Sequence, residues 1–310
     1  MVEKEPQLNN EGALEPGGDG GGKEVGAVDV VREKTKEILE GLSDSHGWEH
    51  TVLVADYAKL LAVGEGRKEV DVANAEMAGL THDWGRALEK SDLEHRSHAV
   101  LSREASRDVY RELWEQGKIT APQYGEIQRA IGRHSLFGET PRETLKIVRD
   151  ADRLSRFGSL GLQHTILYWV EEGTPFYIKG HPIIQPVDAP GLKLKDVKCA
   201  IDALNFCLEF EKTFETESAS KICDKLKKTN RAFLELFSAH QDLNDGRLWL
   251  DFLQKPAIEF KRRKEEFARN FSWTGDKGDL EKWLMFYEKV EGPEIFTEEK
   301  FQDFLKQYKG

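Results

Sequence analysis

The sequence predicts an all-α protein. Apolar residues recur at helical spacing along most of the chain, as in VDVVREKTKEILEGL and WEHTVLVADYAKLLAV, and this recurrence is typical of amphipathic helices. Small polar residues and Gly stand at the ends of such runs, where helices start and stop. No long stretch alternates apolar and polar residues as a half-buried strand would.

The predicted elements divide the chain into three parts. Residues 1–26 are dominated by Gly and charged residues, which predicts a disordered tail. Residues 27–242 form a helical domain, interrupted at 173–192 by a proline-containing loop that could cover a site as a lid. Residues 243–310 are charged and aromatic and predict a helical extension that docks on this domain or on a second subunit. Within the helical domain, helices are predicted at 28–42, 46–63, 69–85, 92–116, 122–134, 142–158, 195–214 and 217–240.

The composition excludes several classes of function. A net charge of −11 repels nucleic acids and anionic membranes. The three cysteines fit neither a disulfide framework nor a zinc finger, which favours a reducing compartment. The N-terminal residues have no apolar core, so we expect no signal peptide, and no apolar run reaches membrane-spanning length. We therefore expect a cytoplasmic protein without nucleic-acid or membrane partners, and the sequence leaves a homo-oligomer open.

Histidines and carboxylates suggest a metal site. Six of the nine histidines fall between residues 46 and 134. The doublet His82-Asp83 offers an imidazole beside a carboxylate, a mixed set that suits Mn, Fe, Co, Ni or Zn. Asp152 lies beside an apolar helix stripe and needs a partner there. The alternative explanation for Asp83 and Asp152 is that each forms an ion pair with an arginine and binds no metal. Asp150 is a second candidate for the role of metal ligand given to Asp152.

In this pattern the chain resembles the HD-domain superfamily of metal-dependent phosphohydrolases, and within it a small bacterial phosphohydrolase-like subgroup. The resemblance covers residues 28–242 and rests on SHGWEH, LTHDWG and ADRLSRFG. It implies an HD-domain helical bundle that ends in a helical pair, and one divalent metal (Mn, Fe, Co, Ni, Zn or Mg). The implied metal ligands are His50, which is preferred over His46, and His82, Asp83 and Asp152.

The resemblance also implies roles around this metal. Asp83 would orient or deprotonate a water, and Arg86 would neutralise a phosphate, with Arg153 and Arg133 as further candidates. The substrate implied is a small phosphorylated compound, with nucleotides leading by elimination. His98 and His134 would either bind the substrate phosphate or hold a second metal, and His95 competes with His98.

Three alternatives stand beside the phosphohydrolase. His46, Glu49 and His50 match the inverted zinc-protease motif H-x-x-E-H. A di-iron oxygenase on the same scaffold would use His98 and His134 as ligands. A catalytically inactive metal-binding or regulatory module is the third, because Gly47, Leu53 and Trp84 depart from the residues usual in the subgroup.

Overall fold

The computed structural model describes residues 26–43, 45–136, 142–181 and 194–308, and within them it confirms the all-α prediction. Twelve α-helices and five short 3-10 helices make up the regular structure of these residues. The α-helices are α1 (Ala27–Leu39), α2 (Trp48–Gly64), α3 (Glu69–Thr81), α4 (His98–Glu115), α5 (Ala121–Arg133), α6 (Glu143–Leu154), α7 (Gly158–Glu171), α8 (Ala200–Leu208), α9 (Glu217–Ala239), α10 (Gly246–Asn270), α11 (Lys277–Val290) and α12 (Glu298–Tyr308).

Helix α2 lies at the centre of the fold. Its sequence is apolar on nearly every face, and most of its residues are buried, as expected for a helix surrounded by others. It packs against α3, α6 and α11. Gly79 of α3 allows a close approach, because a Cβ at this position would lie 2.8 Å from the Cα of Ala55 in α2. This packing brings His50 of α2 near the end of α3, where His82 lies.

The C-terminal extension docks on the helices of the domain rather than standing apart from them. Phe260 of α10 and Trp283 of α11 lie in one apolar cluster with Leu53 of α2 and Leu160 of α7. A second cluster joins α7, α8 and α9 to α10 and α12 around Trp249. Residues 243–310 therefore dock on the helical domain of the same chain, which is one of the two arrangements that the sequence left open.

Among the differences from the predicted helices, two concern α7 and α10. The segment 142–158 was expected as one helix ending at Gly158, but α6 ends at Leu154 and α7 begins at Gly158 and continues to Glu171. Gly158 has a φ of 79°, which its lack of a side chain permits, so the chain turns there and a new helix starts. Helix α10 lies within the helical extension predicted for residues 243–310 but was not predicted as a separate helix, and it runs through Pro256 although proline usually ends a helix.

Some predictions fall on residues outside the described ranges. The tail at residues 1–26 is described only from Gly26 onward, and the loop at 173–192 only as far as His181. Residues 173–181 contain neither helix nor strand. Among the described helices, none combines the length and the apolar character needed to cross a lipid bilayer.

Candidate metal centre

Asp83 lies at the middle of a cluster of histidines. It follows directly after the C-terminal end of α3, and its side chain is 2% exposed. One carboxylate oxygen, Oδ2, is 3.6 Å from the Nε2 atoms of both His50 and His82. The other oxygen, Oδ1, is 3.6 Å from Nε2 of His98 and 3.9 Å from Nε2 of His134. The two oxygens of one carboxylate therefore face two different pairs of imidazoles.

Asp152 of α6 completes the first of these groups. Its Oδ1 atom is 3.6 Å from Nε2 of His50 and 3.9 Å from Nε2 of His82. We call His50, His82, Asp83 and Asp152 the first donor set. Three helices supply it, since His50 comes from α2, the His82-Asp83 doublet from the end of α3, and Asp152 from α6. These four residues are the metal ligands expected from the sequence, and the structure brings all of them together.

The hydrogen bonds of His82 fix which of its ring nitrogens is free. Its Nδ1 atom is 2.8 Å from the backbone oxygen of Gly79, and because a carbonyl oxygen only accepts, Nδ1 carries the proton. Nε2 therefore presents a lone pair to the two carboxylates. The Nε2 atoms of His82 and His50 are buried and have no hydrogen-bond partner among the described residues. Unpartnered buried nitrogens are rare, and an imidazole oriented by a backbone carbonyl is typical of a metal ligand. The first donor set therefore fits a divalent transition-metal ion.

His98 and His134 form a second group, which we call the second donor set. The Nδ1 atom of His134 is 2.8 Å from the backbone oxygen of Ile131, so its Nε2 is also a lone pair. Nε2 of His98 lies 3.1 Å from it. The competing residue His95 is exposed, with a left-handed backbone φ of 53°. The structure thus brings His98, and not His95, to Asp83.

His46 also contacts the centre, which the sequence did not predict. Its Nδ1 atom is 2.8 Å from Oδ2 of Asp83. Unlike His46, His50 faces both Asp83 and Asp152. Glu49, the glutamate of the zinc-protease motif, accepts a hydrogen bond from Lys261 of α10 at 2.6 Å. This ion pair directs Glu49 toward α10, so the motif does not place its general base at the metal centre.

Asp150 is held by α9 and not by the centre. Its carboxylate accepts hydrogen bonds from the backbone N–H groups of Glu215 and Thr216, at 2.9 and 2.8 Å, and from the Thr216 hydroxyl at 2.8 Å. These donors lie at the N-terminal end of α9, where a carboxylate is favourable. Asp150 is therefore a structural residue, and Asp152 is the carboxylate that faces the histidines.

The arginines require one correction. Nε of Arg86 is 3.7 Å from Oδ1 of Asp83, close to the position expected of it. Arg153 was expected to bind substrate, but its Nη1 donates to the backbone oxygen of Thr213 at 2.8 Å, because α6 turns this side chain toward the segment before α9. Arg156 lies instead beside the centre, with Nη2 3.4 Å from Oδ1 of Asp152. Arg156 lies beyond the end of α6, in the turn that leads to α7, so helical periodicity in the sequence does not identify it.

Burial determines the charge state of the histidines. It lowers the pKa of His46 to about 4 and that of His98 to about 3, and it lowers the pKa of His50 well below its usual value. Burial also opposes ionisation of Asp83, but His82 and Arg86 hold the pKa of this carboxyl well below its usual value. Neutral imidazoles beside ionised carboxylates are the forms that ligate metals.

One side of the centre is open to solvent. The side chains of His50 and His82 are fully buried, whereas those of Asp152 and His98 are 23% and 17% exposed. Arg86 and Arg156, which contact Asp83 and Asp152, are also partly exposed. Guanidinium groups are suited to bind phosphate.

Comparisons with known proteins agree with this site. A profile of the HD-domain family matches residues 47–156. An uncharacterized protein of Methanocaldococcus jannaschii, MJ0778, is 30% identical over 132 residues, which are 39% of this chain and 73% of the relative. An uncharacterized protein of Bacillus subtilis, YpgQ, is 26% identical over 208 residues, which are 63% of this chain and 95% of YpgQ.

Solved structures are similar in fold. A structure from Lactobacillus plantarum superposes with a TM-score of 0.51 at 19% identity and covers 70% of this chain and 97% of that one. YpgQ itself has been solved in complex with ADP, with a TM-score of 0.47 at 20% identity over 71% of this chain and 99% of YpgQ. The profile match includes the whole first donor set, from His50 to Asp152. The chain belongs to the HD-domain family.

Proposed function

We propose that this protein is a metal-dependent phosphohydrolase that cleaves a phosphate ester of a small nucleotide. The observation that carries the proposal is the pair of buried, unpartnered Nε2 atoms of His50 and His82, which face the carboxylates of Asp83 and Asp152. These four residues would hold one divalent ion. Such an ion lowers the pKa of water toward neutrality and polarises a phosphoryl oxygen.

The residues around the first donor set have complementary tasks. Asp83 is ionised and buried, so it is suited to orient a water. Arg86 and Arg156, which contact Asp83 and Asp152, are partly exposed and would bind the phosphate oxygens and offset their charge. An anionic substrate needs this local positive charge, because the chain as a whole carries a net charge of −11 and repels anions.

A nucleotide as substrate is supported by chemistry and by a relative. A metal ion with two adjacent guanidinium groups would stabilise the negative charge that develops while a phosphate ester is hydrolysed. The relative YpgQ is known in a complex with ADP, which makes ADP a suitable first compound to test. We expect no nucleic acid and no membrane as partner.

Metal analysis combined with a phosphate-release assay tests the proposal. The full-length protein is purified gently, its metal content is measured, and phosphate release is followed over a panel of nucleotides with Mn, Co, Ni and Mg. Asp83→Ala should lose both bound metal and activity. His95→Ala is the matched control, because His95 is exposed and lies outside the cluster. Equal phosphate release by the wild type and Asp83→Ala would refute the hydrolase.

The second donor set favours a second candidate, a di-iron oxygenase on the same scaffold. His98 and His134 lie 3.1 Å apart, and two nitrogens that share one ion at right angles lie about 3 Å apart. Asp83 faces this pair with its Oδ1 atom and the first donor set with Oδ2. Two iron atoms per chain, lowered to one in His98→Ala, would support this candidate. One metal per chain in both proteins would exclude it.

A further inference from the structure

A groove between α4 and α5 lies outside the metal centre. Its volume is about 300 Å³, and its lining includes the guanidinium groups of three arginines, one tyrosine ring and two glycines. These residues are Arg103, Tyr124, Gly125, Arg129, Gly132 and Arg133. No Asp or Glu is among the residues that line it. The groove is at the small end of the range of ligand pockets.

Two of the three arginines have no counter-charge among the described residues. Arg129 is paired with Glu126, at 3.2 Å. For Arg103 and Arg133, no carboxylate lies within 4.0 Å among residues 26–43, 45–136, 142–181 and 194–308. Acidic residues outnumber basic ones in this chain, 56 to 45, and yet neither Arg103 nor Arg133 has a carboxylate partner among the described residues. Two of them in one groove create a local positive potential.

The glycines give this groove its form. A Cβ at position 132 would lie 2.8 Å from Cδ of Arg103, so glycine leaves room for the stem of Arg103 to lie across α5 in its present position. A Cβ at position 125 would meet no atom within 4 Å, because it would point into open space. Glycine is unfavourable inside a helix by about 1 kcal/mol relative to alanine. The two glycines of α5 therefore leave room in the groove and let Arg103 lie in its present position, although they destabilise the helix.

Tyr124 adds a flat surface to one side of the groove. Its ring is half-buried and lies 6.1 Å from the ring of Trp114 in α4, tilted by 33°. An aromatic ring beside guanidinium groups is suited to a ligand that combines a planar ring with phosphates. Trp114 also provides a fluorescent group close to the groove.

We propose that this groove binds a small compound carrying at least two phosphate groups, at a site separate from the metal centre. Guanidinium groups bind phosphate oxygens through two parallel hydrogen bonds, and Arg103 and Arg133 are free to do so. The groove differs from the centre in its residues, since Arg133 is exposed while the neighbouring His134 is buried against Asp83. Adjacent residues on a helix point about 100° apart, which explains this difference.

Binding of pyrophosphate in the presence of a chelator tests the proposal, because the chelator keeps metal out of the donor sets. Calorimetry and Trp114 fluorescence measure the dissociation constant for the full-length wild type and for Asp83→Ala. We expect both proteins to bind, with Arg103→Gln and Arg133→Gln each weakening binding about tenfold. Arg107→Gln is the matched control, because Arg107 is exposed on the same helix and does not line the groove.

A second variant tests the groove by blocking it. Gly125→Glu places a carboxylate in the open space and should abolish binding, while glutamate favours the helix more than glycine does. Comparing ADP with pyrophosphate and adenosine distinguishes a nucleotide, which would bind more tightly through Tyr124, from an inorganic phosphate compound.

Three results would overturn the proposal. One is the absence of pyrophosphate binding to the wild type. Another is an equal loss of affinity in Arg107→Gln and Arg103→Gln, which would indicate a general charge effect. The third is a loss of binding in Asp83→Ala with binding retained in the arginine variants, which would place the anion at the metal centre.

Discussion

Replacing Glu291 with Gln is expected to stabilise the protein above neutral pH and to change its stability little in mild acid. Glu291 follows the C-terminal end of α11 and is 2% exposed. Its carboxylate accepts hydrogen bonds from the backbone N–H of Ser159 at 3.0 Å and from the Ser159 hydroxyl at 2.6 Å. Ser159 lies in the first turn of α7, so this contact joins the extension to the domain that holds the metal centre.

The expected magnitude follows from the pKa of the buried group. Burial raises the pKa of Glu291 from 4.5 to about 7, although the hydrogen bonds from Ser159 act in the opposite direction. The native state therefore binds this proton more tightly than the unfolded chain. The stabilisation is complete below the unfolded pKa and is lost as the pH rises through the folded one. Each pKa unit corresponds to about 1.4 kcal/mol, so the loss between about pH 4.5 and 7 amounts to about 3 kcal/mol.

Urea unfolding across this pH window measures the effect. The wild type should lose stability from about pH 5 to pH 8, and Glu291→Gln should show a flatter profile, because glutamine resembles the neutral acid and cannot ionise. Glu294→Gln is the control, since it removes one exposed negative charge nearby. A wild-type stability that rises over this window, or an unchanged pH profile in Glu291→Gln, would refute the reasoning.

Three further predictions concern other parts of the molecule. In Gly85→Ala, the new Cβ would overlap the backbone oxygen of His98 and lie 2.6 Å from the backbone nitrogen of Ser102, so we expect a loss of about 1–3 kcal/mol in thermal unfolding and weaker metal binding. Trp283→Ala should cost about 3–5 kcal/mol in urea unfolding, because the indole is buried in the cluster that joins the extension to α2. Glu49→Gln should leave phosphate release within about twofold of wild type, since Glu49 forms an ion pair that is partly exposed; a loss comparable to that of Asp83→Ala would revive the protease reading.

The sequence predicted the helices whose apolar residues are periodic. Helix α5 has a clear apolar stripe and a capping box between Thr120 and Gln123, and both were recognisable signals. Helix α7 has no such stripe, because most of its residues from Gly158 to Ile166 are buried and apolar or small. A helix buried on most sides has no periodic pattern to detect. Its existence follows from packing against α8, α9 and α10, which are distant in sequence.

The residues of the candidate site were likewise only partly predictable from the sequence. The order of His50, the His82-Asp83 doublet and Asp152 in the sequence was sufficient to propose the first donor set. The choice between Arg153 and Arg156 was not accessible from sequence, because it depends on how α6 faces the segment before α9. The contact of His46 with Asp83 was likewise hidden, because it depends on the turn before α2, where no helical periodicity applies.

The apolar cluster shared by α2, α7, α10 and α11 has a consequence for synthesis of the protein. All residues of the metal centre precede residue 160, and they leave the ribosome well before α10 and α11 are made. Until then, Leu60 and Leu160 lack the apolar partners Phe260 and Trp283. Domains usually fold as units while the chain emerges. In this protein, the nascent HD helices would expose an apolar surface until α10 and α11 have emerged, so the packing around the metal centre is completed only after these helices are made.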